Sequence, residues 1–314
     1  MKVLLIAHEK NMGGASKSLV TLAKELVGKG VEVHVVIPFS GGGVEKALIN
    51  ENIPYKHIFF GWWMEPSYWN ALLKMSFRAL HSLESLAVNR ICSYAKKNGI
   101  QIIHSNSSAI DVGAKAALKL GIPHVWHIRE FGDLDYRLDF MNAQRGDKSR
   151  AIEYMLSVPG KIVFISKALE EYYLKSLLGV RKQETDRLKE QRDNQGDAYS
   201  DNFEYRAAID EITRRFGEAS RVIYNGISKD YLINKSKEGH LEGGKRDTQI
   251  APPKVVFLIA ANLQRSKRQN LAIEAVKILK QEGYSDFKLI IAGGTANTAD
   301  SREYEAELRE QAKG

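Results

Sequence analysis

The sequence predicts an α/β fold with two domains, each a parallel sheet covered by helices, of which the second is incomplete. Apolar, strand-like runs alternate with helix-like segments over the first half of the chain, and the same alternation starts again near residue 255. A polar, Gly- and Lys-rich stretch separates the two patterns. The length of 314 residues is enough for two domains of ordinary size.

The first strand–helix–strand unit covers residues 3–37. Residues 3–7 are a continuous apolar run, which is typical of a strand buried on both faces. Residues 16–29 have helical periodicity, with Leu19, Ala23 and Leu26 at core-facing spacing. Residues 31–37 are predicted to form the next strand.

The rest of the first domain continues this alternation. The predicted strands are residues 100–104, 124–128, 161–165 and 221–224. The predicted helices are residues 68–97, 109–120 and 167–178. Residues 181–218 are dense in mixed charge and poor in aliphatic side chains, which predicts a surface insertion, either a helical hairpin or a disordered segment.

The domain boundary is predicted in residues 235–253, which end in two prolines. Residues 1–234 then form the first domain and residues 254–314 part of the second. In the second domain, residues 255–260 and 287–292 are predicted strands, and residues 267–281 and 302–312 are predicted helices. Four elements are too few for a doubly wound sheet, so we expect an incomplete domain.

Composition and charge exclude several classes of function. The single cysteine, Cys92, excludes an internal disulfide and a multi-cysteine metal site. The sequence has no apolar run of the roughly 18 residues that a membrane span needs, and its apolar start lacks a cleavage site for a signal peptide. The net charge of +8 indicates an anionic partner. A nucleic acid is the weakest candidate, since no zinc-finger or RNP-like pattern is present.

The first candidate site is the turn Met12-Gly13-Gly14-Ala15-Ser16, between the first strand and its helix. Glycines let backbone N–H groups approach a ligand, and a helix N-terminus favours anionic or polar oxygen groups. The turn follows the carboxyl end of a strand, where open α/β sheets bind ligands. It lacks the G-x-G-x-x-G spacing of dinucleotide sites, and a tight turn without a ligand is an equally good interpretation.

The second candidate site is His127-Ile128-Arg129-Glu130, at the end of the strand 124–128. Polar groups at this edge of a sheet usually face a cleft. The alternative interpretation is a histidine satisfied inside the domain, with a local ion pair between Arg129 and Glu130. A zinc site with His124 is not expected, because strand residues three apart point to opposite faces.

The third candidate site, residues 262–269, contains three basic residues at the start of a predicted helix. Such residues can hold a diphosphate by charge and hydrogen bonds. A solvated basic helix start is the alternative, although cations there oppose the helix dipole, which favours an anionic ligand.

The fourth candidate is an aromatic segment, Phe59-Phe60-Gly61-Trp62-Trp63-Met64, followed by a helix that carries Trp69, Lys74, Phe77, Arg78 and Arg90. Aromatic and basic residues together can lie on an anionic membrane surface. The pattern favours the other interpretation, a helix that covers the sheet with its aromatic side chains in the core.

Together these segments resemble family 4 glycosyltransferases, which are retaining enzymes with the GT-B fold of two Rossmann-like domains. The order and spacing of five motifs carry the resemblance over most of the chain outside the insertion. These motifs are Gly13-Gly14-Ala15, His127, Ser166-Lys167-Ala168-Leu169, Val222-Ile223-Tyr224-Asn225-Gly226-Ile227, and Lys267 with the helix 270–279.

The resemblance implies roles for particular residues. Gly13 and Gly14 would approach the donor diphosphate and the acceptor. His127 would be the catalytic histidine, in contact with the transferred sugar and orienting it. Arg129 and Glu130 are candidate contacts to the acceptor or the sugar.

The resemblance implies one further contact in each domain. Asn225 would be another acceptor or sugar contact, and Lys267 would hold the donor phosphates. The family usually has an arginine two residues after its strand, where this sequence has Asn262, and Arg265 lies nearby as a substitute. The family's Glu-x7-Glu element falls beyond residue 314, so the resemblance implies a C-terminally truncated chain that lacks part of its donor site.

The resemblance also implies substrates and a location. We expect a UDP- or GDP-sugar donor bound mainly to the second domain, and a glycan or lipid-linked acceptor bound to the first, in cell-surface polysaccharide synthesis. No cofactor and no metal ion are expected. The expected location is the cytoplasm, at the inner face of the plasma membrane, with peripheral contact to anionic lipid and no nucleic acid.

Two other functions remain open at this stage. A sugar-nucleotide epimerase would need acid and base carboxylates, for which Glu130 and Asp133 are the candidates, although no opposed pair is visible. A non-catalytic module that binds a sugar nucleotide or a glycan is the second rival, which an incomplete second domain favours.

Overall fold

The structure is a computed structural model that describes residues 1–81, 84–141, 143, 147–179, 201–226, 255–295 and 299–313. The chain divides into two compact units, Met1–Leu232 and Ile233–Gly314. The predicted linker, residues 235–253, lies outside the described residues, as do residues 181–200 of the predicted insertion.

The first unit is an α/β domain with a large parallel sheet. Its strands are β1 Lys2–Ile6, β2 Glu32–Ile37, β3 Tyr55–His57, β4 Met64–Pro66, β5 Ile102–Ser105, β6 His124–Ile128, β7 Leu138–Phe140, β8 Gly160–Phe164 and β9 Ser220–Val222. Among the described residues, seven strands form one sheet in the order β3-β2-β1-β5-β6-β8-β9, with all neighbours parallel. The short strands β4 and β7 form a separate antiparallel pair.

Helices flank this sheet. They are α1 Gly14–Gly28, α2 Gly43–Asn50, α3 Ala71–His81, α4 Glu84–Asn98, α5 Val112–Leu120, α6 Asp133–Tyr136, α7 Ser149–Ser157, α8 residues 167–179 and α9 Asp201–Ala219. Within the described ranges, every helix is too short or too polar to span a membrane.

The two faces of the sheet have separate cores, because side chains alternate along a strand. Leu4 and Ile6 of β1 belong to a cluster with Ile91 of α4. Leu5 of β1 belongs to another cluster, with Leu19 of α1. The continuous apolar run at the start of the sequence is therefore a strand buried on both faces, as predicted.

Two predictions about helices in this unit need correction. The helix predicted over 68–97 starts at Ala71, because the Asn70 side chain accepts a hydrogen bond from the Leu73 N–H and so caps the helix. In place of one helix, the structure describes α3 and α4, on either side of residues 82–83. The prediction of a surface insertion is wrong for the last turns of α9. Phe216, 2% exposed, packs against Phe164 with the ring centroids 5.8 Å apart.

The described residues of the second unit include a parallel pair of strands, β10 Val255–Ala260 and β11 Phe287–Ala292. A 3₁₀ turn, Arg265–Lys267, precedes the helix α10 Gln269–Gln281, and α11 Ala299–Gln311 follows β11. The helix predicted to begin at Lys267 thus begins two residues later. Arg268 has a left-handed backbone, φ 55°, which separates the 3₁₀ turn from the helix.

Candidate functional site

Polar side chains of the first unit gather at the carboxyl edge of its sheet. Glu9 follows β1, Asn106 follows β5, Arg129 follows β6 and Asn225 follows β9. The strands are parallel, so these ends meet at one edge. The strand order reverses beside β1, because the chain builds outward to β3 and then returns to place β5 on the other side. A reversal of this kind opens the crevice where α/β sheets bind ligands.

The Gly13 turn lies close to the side chain of Glu9, whose flexible end would have to move to admit a Cβ atom at Gly13. A Cβ atom at Gly13 would lie 2.6 Å from Oε1 of Glu9, which also accepts a hydrogen bond from the Ser16 hydroxyl at 3.2 Å. Gly13 is the N-cap of α1, and no side chain caps the helix there. A Cβ atom at Gly14 would meet open space. The start of α1 therefore presents backbone N–H groups without a side-chain cap.

Asn106 links this turn to the second candidate site. Its Nδ2 donates to the carbonyl of Ala15 at 2.9 Å, and its Oδ1 accepts from Nε of Arg129 at 2.9 Å. Sequence reasoning missed Asn106. The signal was available, because a polar run, Ser105-Asn106-Ser107-Ser108, follows directly on a predicted strand.

Arg129 connects three side chains at this edge. Besides Asn106, its Nη1 donates to Oδ1 of Asn225 at 2.7 Å, and its Nη2 lies 3.3 Å from Nδ1 of His127. Burial lowers the pKa of Arg129 to about 10, against the opposing effect of the Glu130 charge. The guanidinium therefore stays charged at neutral pH. The structure thus brings together three of the predicted residues, His127, Arg129 and Asn225.

His127 is held neutral in a defined tautomer. Burial, and then the charge of Arg129, lower its pKa to about 2. An arginine N–H can only donate, so Nδ1 of His127 accepts and the proton of the neutral ring lies on Nε2. Nε2 of His104 is 3.2 Å from the same Nδ1, which is consistent with a second donor. Nε2 of His127 is buried and has no partner among the described residues.

The carboxylates proposed for epimerase chemistry are both engaged elsewhere. Oε1 of Glu130 accepts from the Ser107 hydroxyl at 2.6 Å and from the Ser108 N–H and hydroxyl at 2.7 Å each. Asp133 accepts from the Tyr172 hydroxyl at 2.6 Å and pairs with the buried Lys148 at 2.8 Å. Glu130 is thus fixed by the loop after β5, and the alternative ion pair with Arg129 is not formed.

The motif at 166–169 has a local structural role. The Ser166 hydroxyl accepts a hydrogen bond from the Leu169 N–H at 3.2 Å, which caps α8.

In the second unit, Arg265 already has a partner. Its guanidinium forms two hydrogen bonds with the Glu307 carboxylate, at 2.6 and 2.7 Å, and lies over the Tyr304 ring at 5.2 Å from the centroid. Lys267 and Asn262 are exposed near the carboxyl end of β10. The structure thus leaves Lys267 more accessible to an anion than Arg265.

The aromatic segment belongs mainly to the core, which is the interpretation that its pattern favours. Phe60 and Met64 are buried, and the Trp62 indole donates to the His8 carbonyl at 2.9 Å. Lys74 and Arg78 of α3 both pair with the buried carboxylate of Glu65. Three apolar side chains of α3 are nevertheless exposed, namely Leu72, Leu73 and Met75.

The chain is similar to known proteins in both sequence and structure. A model of Glycosyltransferase Family 4 matches residues 12–185, more than half of the chain. The glycosyltransferase from Rickettsia africae ESF-5 has a similar structure, with 14% identity and a TM-score of 0.54 over 99% of this chain and 64% of that chain. At this identity the likeness shows the fold alone, and the chain spans about 64% of the length of that structure.

Weaker likenesses are found in two further structures. MurG of Acinetobacter baumannii is 13% identical, with a TM-score of 0.44 over 96% of this chain and 71% of that one. Arabidopsis thaliana UGT89C1, complexed with UDP, is 14% identical, with a TM-score of 0.46 over 95% of this chain and 66% of that one. A comparison with curated proteins gave no match.

Proposed function

The chain belongs to glycosyltransferase family 4 and has a GT-B-like α/β fold, and on that premise we propose that it transfers a sugar from a nucleotide-sugar donor to a glycan or glycolipid acceptor. The observation that carries the proposal is the neutral His127, whose Nε2–H has no partner among the described residues. A neutral single donor suits a sugar hydroxyl, whereas a phosphate is better matched by positive charge.

The roles follow from the surroundings of each residue. His127 would donate from Nε2 to a hydroxyl of the transferred sugar, after a small rearrangement of the side chains that bury this atom. Arg129 would act as a positioning residue, because it holds Nδ1 of His127 as an acceptor. The uncapped start of α1 at Gly13 and Gly14 would approach polar oxygen atoms of the substrates.

Lys267 is proposed as the phosphate contact of the second unit. In the reaction, an acceptor hydroxyl oxygen bonds to the anomeric carbon as the bond from that carbon to the donor phosphate oxygen breaks, and the hydroxyl proton passes to the leaving diphosphate. The ammonium group of Lys267 would stabilise the negative charge of the leaving diphosphate. Arg265 would contribute only when its pair with Glu307 opens. We assign a retaining outcome, a UDP- or GDP-linked donor and contacts from Asn262 from the family resemblance.

The acceptor is proposed to belong to cell-surface polysaccharide synthesis and to lie at an anionic membrane. The net charge of +8 and the exposed side chains of Leu72, Leu73 and Met75 support this part of the proposal.

Donor hydrolysis and transfer, measured with a panel of UDP- and GDP-sugars, test the proposal. His127→Ala should lower kcat/KM by about 10- to 100-fold, because an unmade hydrogen bond in a buried site costs roughly 1–3 kcal/mol. His57→Ala, at an exposed histidine of the same unit, is the matched control and should leave turnover unchanged. Unchanged turnover in His127→Ala would remove His127 from the site. Calorimetric binding of a donor, without transfer to any acceptor, would instead support a binding module.

A further inference from the structure

A second polar cluster consists of residues that the proposed reaction does not use. It consists of His81 at the end of α3, Glu84 at the start of α4 and Asp111, the N-cap of α5, and we refer to it as the His81 cluster. One potential ligand atom from each of the three residues lies within 4.8 Å of the others. The set comprises one imidazole and two carboxylates, a combination that divalent transition metals bind.

Each residue of the cluster has a buried polar atom without a partner. Glu84 and Asp111 are 6% and 3% exposed. No hydrogen-bond partner is found among the described residues for three of their atoms, namely Oε1 of Glu84, Oδ1 of Asp111 and Nδ1 of His81. The Tyr154 hydroxyl also has no partner there, and its pKa is affected by the charges of Glu84 and Asp111. Buried carboxylate oxygens are rarely left unpaired, so the two unpaired oxygens of Glu84 and Asp111 indicate a missing cation.

Lys115 neutralises only part of this cluster. Its ammonium group contacts Oε2 of Glu84, which also lies 3.3 Å from Nε2 of His81, and it is 2.7 Å from Oδ2 of Asp111. Oε1 of Glu84 and Oδ1 of Asp111 are left without a donor among the described residues. With both carboxylates ionised, one negative charge remains. A proton is the competing occupant, because burial and the Asp111 charge raise the pKa of Glu84 to about 8.

We propose that His81, Glu84 and Asp111 bind one divalent cation, for which Zn²⁺ has the matching ligand preferences. Bonds of about 2.0–2.2 Å to nitrogen and oxygen would require the ligand atoms to close by roughly an ångström. Lys115 can remain on Oε2 of Glu84 and Oδ2 of Asp111. The bound ion would connect the end of α3 to α4 and α5.

Titration of the metal-free protein with ZnCl₂, followed by calorimetry and thermal unfolding, tests this proposal. We expect one equivalent to bind and to raise the unfolding midpoint. Asp111→Asn and His81→Gln should each weaken binding at least tenfold, as the loss of a ligand requires. His57→Gln is the matched control, because His57 pairs with a carboxylate, Glu45, at 2.8 Å on the exposed surface.

Titration with CoCl₂ gives a second readout that does not depend on stability. We expect visible absorption bands that His81→Gln abolishes and His57→Gln leaves in place. Three results would overturn the proposal. They are no binding of Zn²⁺, binding that both cluster variants retain, and binding of Mg²⁺ in preference to Zn²⁺.

Discussion

The two parallel sheets of this protein differ in how far they are covered. Leu4 in β1 is fully buried, whereas Leu258 in β10 is 63% exposed, although both are leucines in apolar strands of parallel pairs. Val256 in β10 and Ile290 in β11 are exposed as well. Parallel sheets are normally covered on both faces, and the first sheet follows this rule while the second, in the described residues, does not.

The helix-covered face of the second sheet also borders an open pocket. This pocket of about 460 Å³ lies against β11 and the helices α10 and α11, with Ile273, Leu289 and Leu308 among its lining residues. The core of this unit is small, and it centres on Leu263, Ile273, Tyr304 and Leu308. Apolar runs in a sequence thus predict strands equally well in both units, but the extent of burial depends on what packs against them.

The largest expected effect is on the free energy of unfolding, which should differ between alanine variants of Leu4 and Leu258. Leu4→Ala should lower the free energy of unfolding of the first unit by about 2–5 kcal/mol, because it removes a fully buried side chain. Leu258→Ala should change stability by less than about 1 kcal/mol, because its side chain gains little from burial. Urea unfolding followed by tryptophan fluorescence measures the first, since Trp62, Trp63, Trp69 and Trp126 are all in the first unit.

Hydrogen exchange of the β10 and β11 amides measures the effect of Leu258→Ala. Wild-type exchange there should be faster than in β1 and β5, because the local free energy of opening is lower. Equal protection of the two sheets, or a large loss of stability in Leu258→Ala, would contradict the contrast.

The next effect concerns the acid sensitivity of the first sheet, whose strand β6 contains His124, whereas β10 and β11 contain no histidine. Burial lowers the pKa of His124 to about 3. A depressed pKa means that the folded state binds fewer protons than the unfolded chain, so its stability is full above about pH 6.5 and falls as the pH decreases. At pH 5, His124 alone should cost about 2 kcal/mol.

Comparison with His124→Asn isolates this contribution, because groups such as Glu84, whose raised pKa acts in the opposite direction, are common to both proteins. The difference in unfolding free energy between wild type and variant should change by about 2 kcal/mol between pH 7.5 and pH 5. A difference that is independent of pH would show that His124 is not held neutral by the fold.

Much of this architecture follows from local sequence patterns. The strands 124–128, 255–260 and 287–292 have the predicted bounds, because short runs rich in β-branched and aromatic residues between turns are distinctive. The strands β3, β4 and β7 were missed, since three residues carry no pattern.

Interactions between distant segments were harder to predict. The position of Arg129 at a strand end was predictable, but its partners Asn106 and Asn225 lie 23 and 96 residues away. Phe216 lies in a segment of mixed charge, and only the fold shows that it packs against Phe164. Arg265 was predicted as an anion contact, whereas its pair with Glu307, on a helix 42 residues later, has no signal in the local sequence.

The protonation of His127 tests the central claim most directly, because the proposed sugar contact depends on a neutral ring with its proton on Nε2. Ring ¹⁵N NMR of the histidines at pH 7, assigned with His127→Gln, reports the tautomer. We predict an Nε2–H tautomer for His127 whose Nε2 resonance shifts when a nucleotide-sugar donor is added. A proton on Nδ1, a doubly protonated ring, or a resonance that no UDP- or GDP-sugar perturbs would contradict the account.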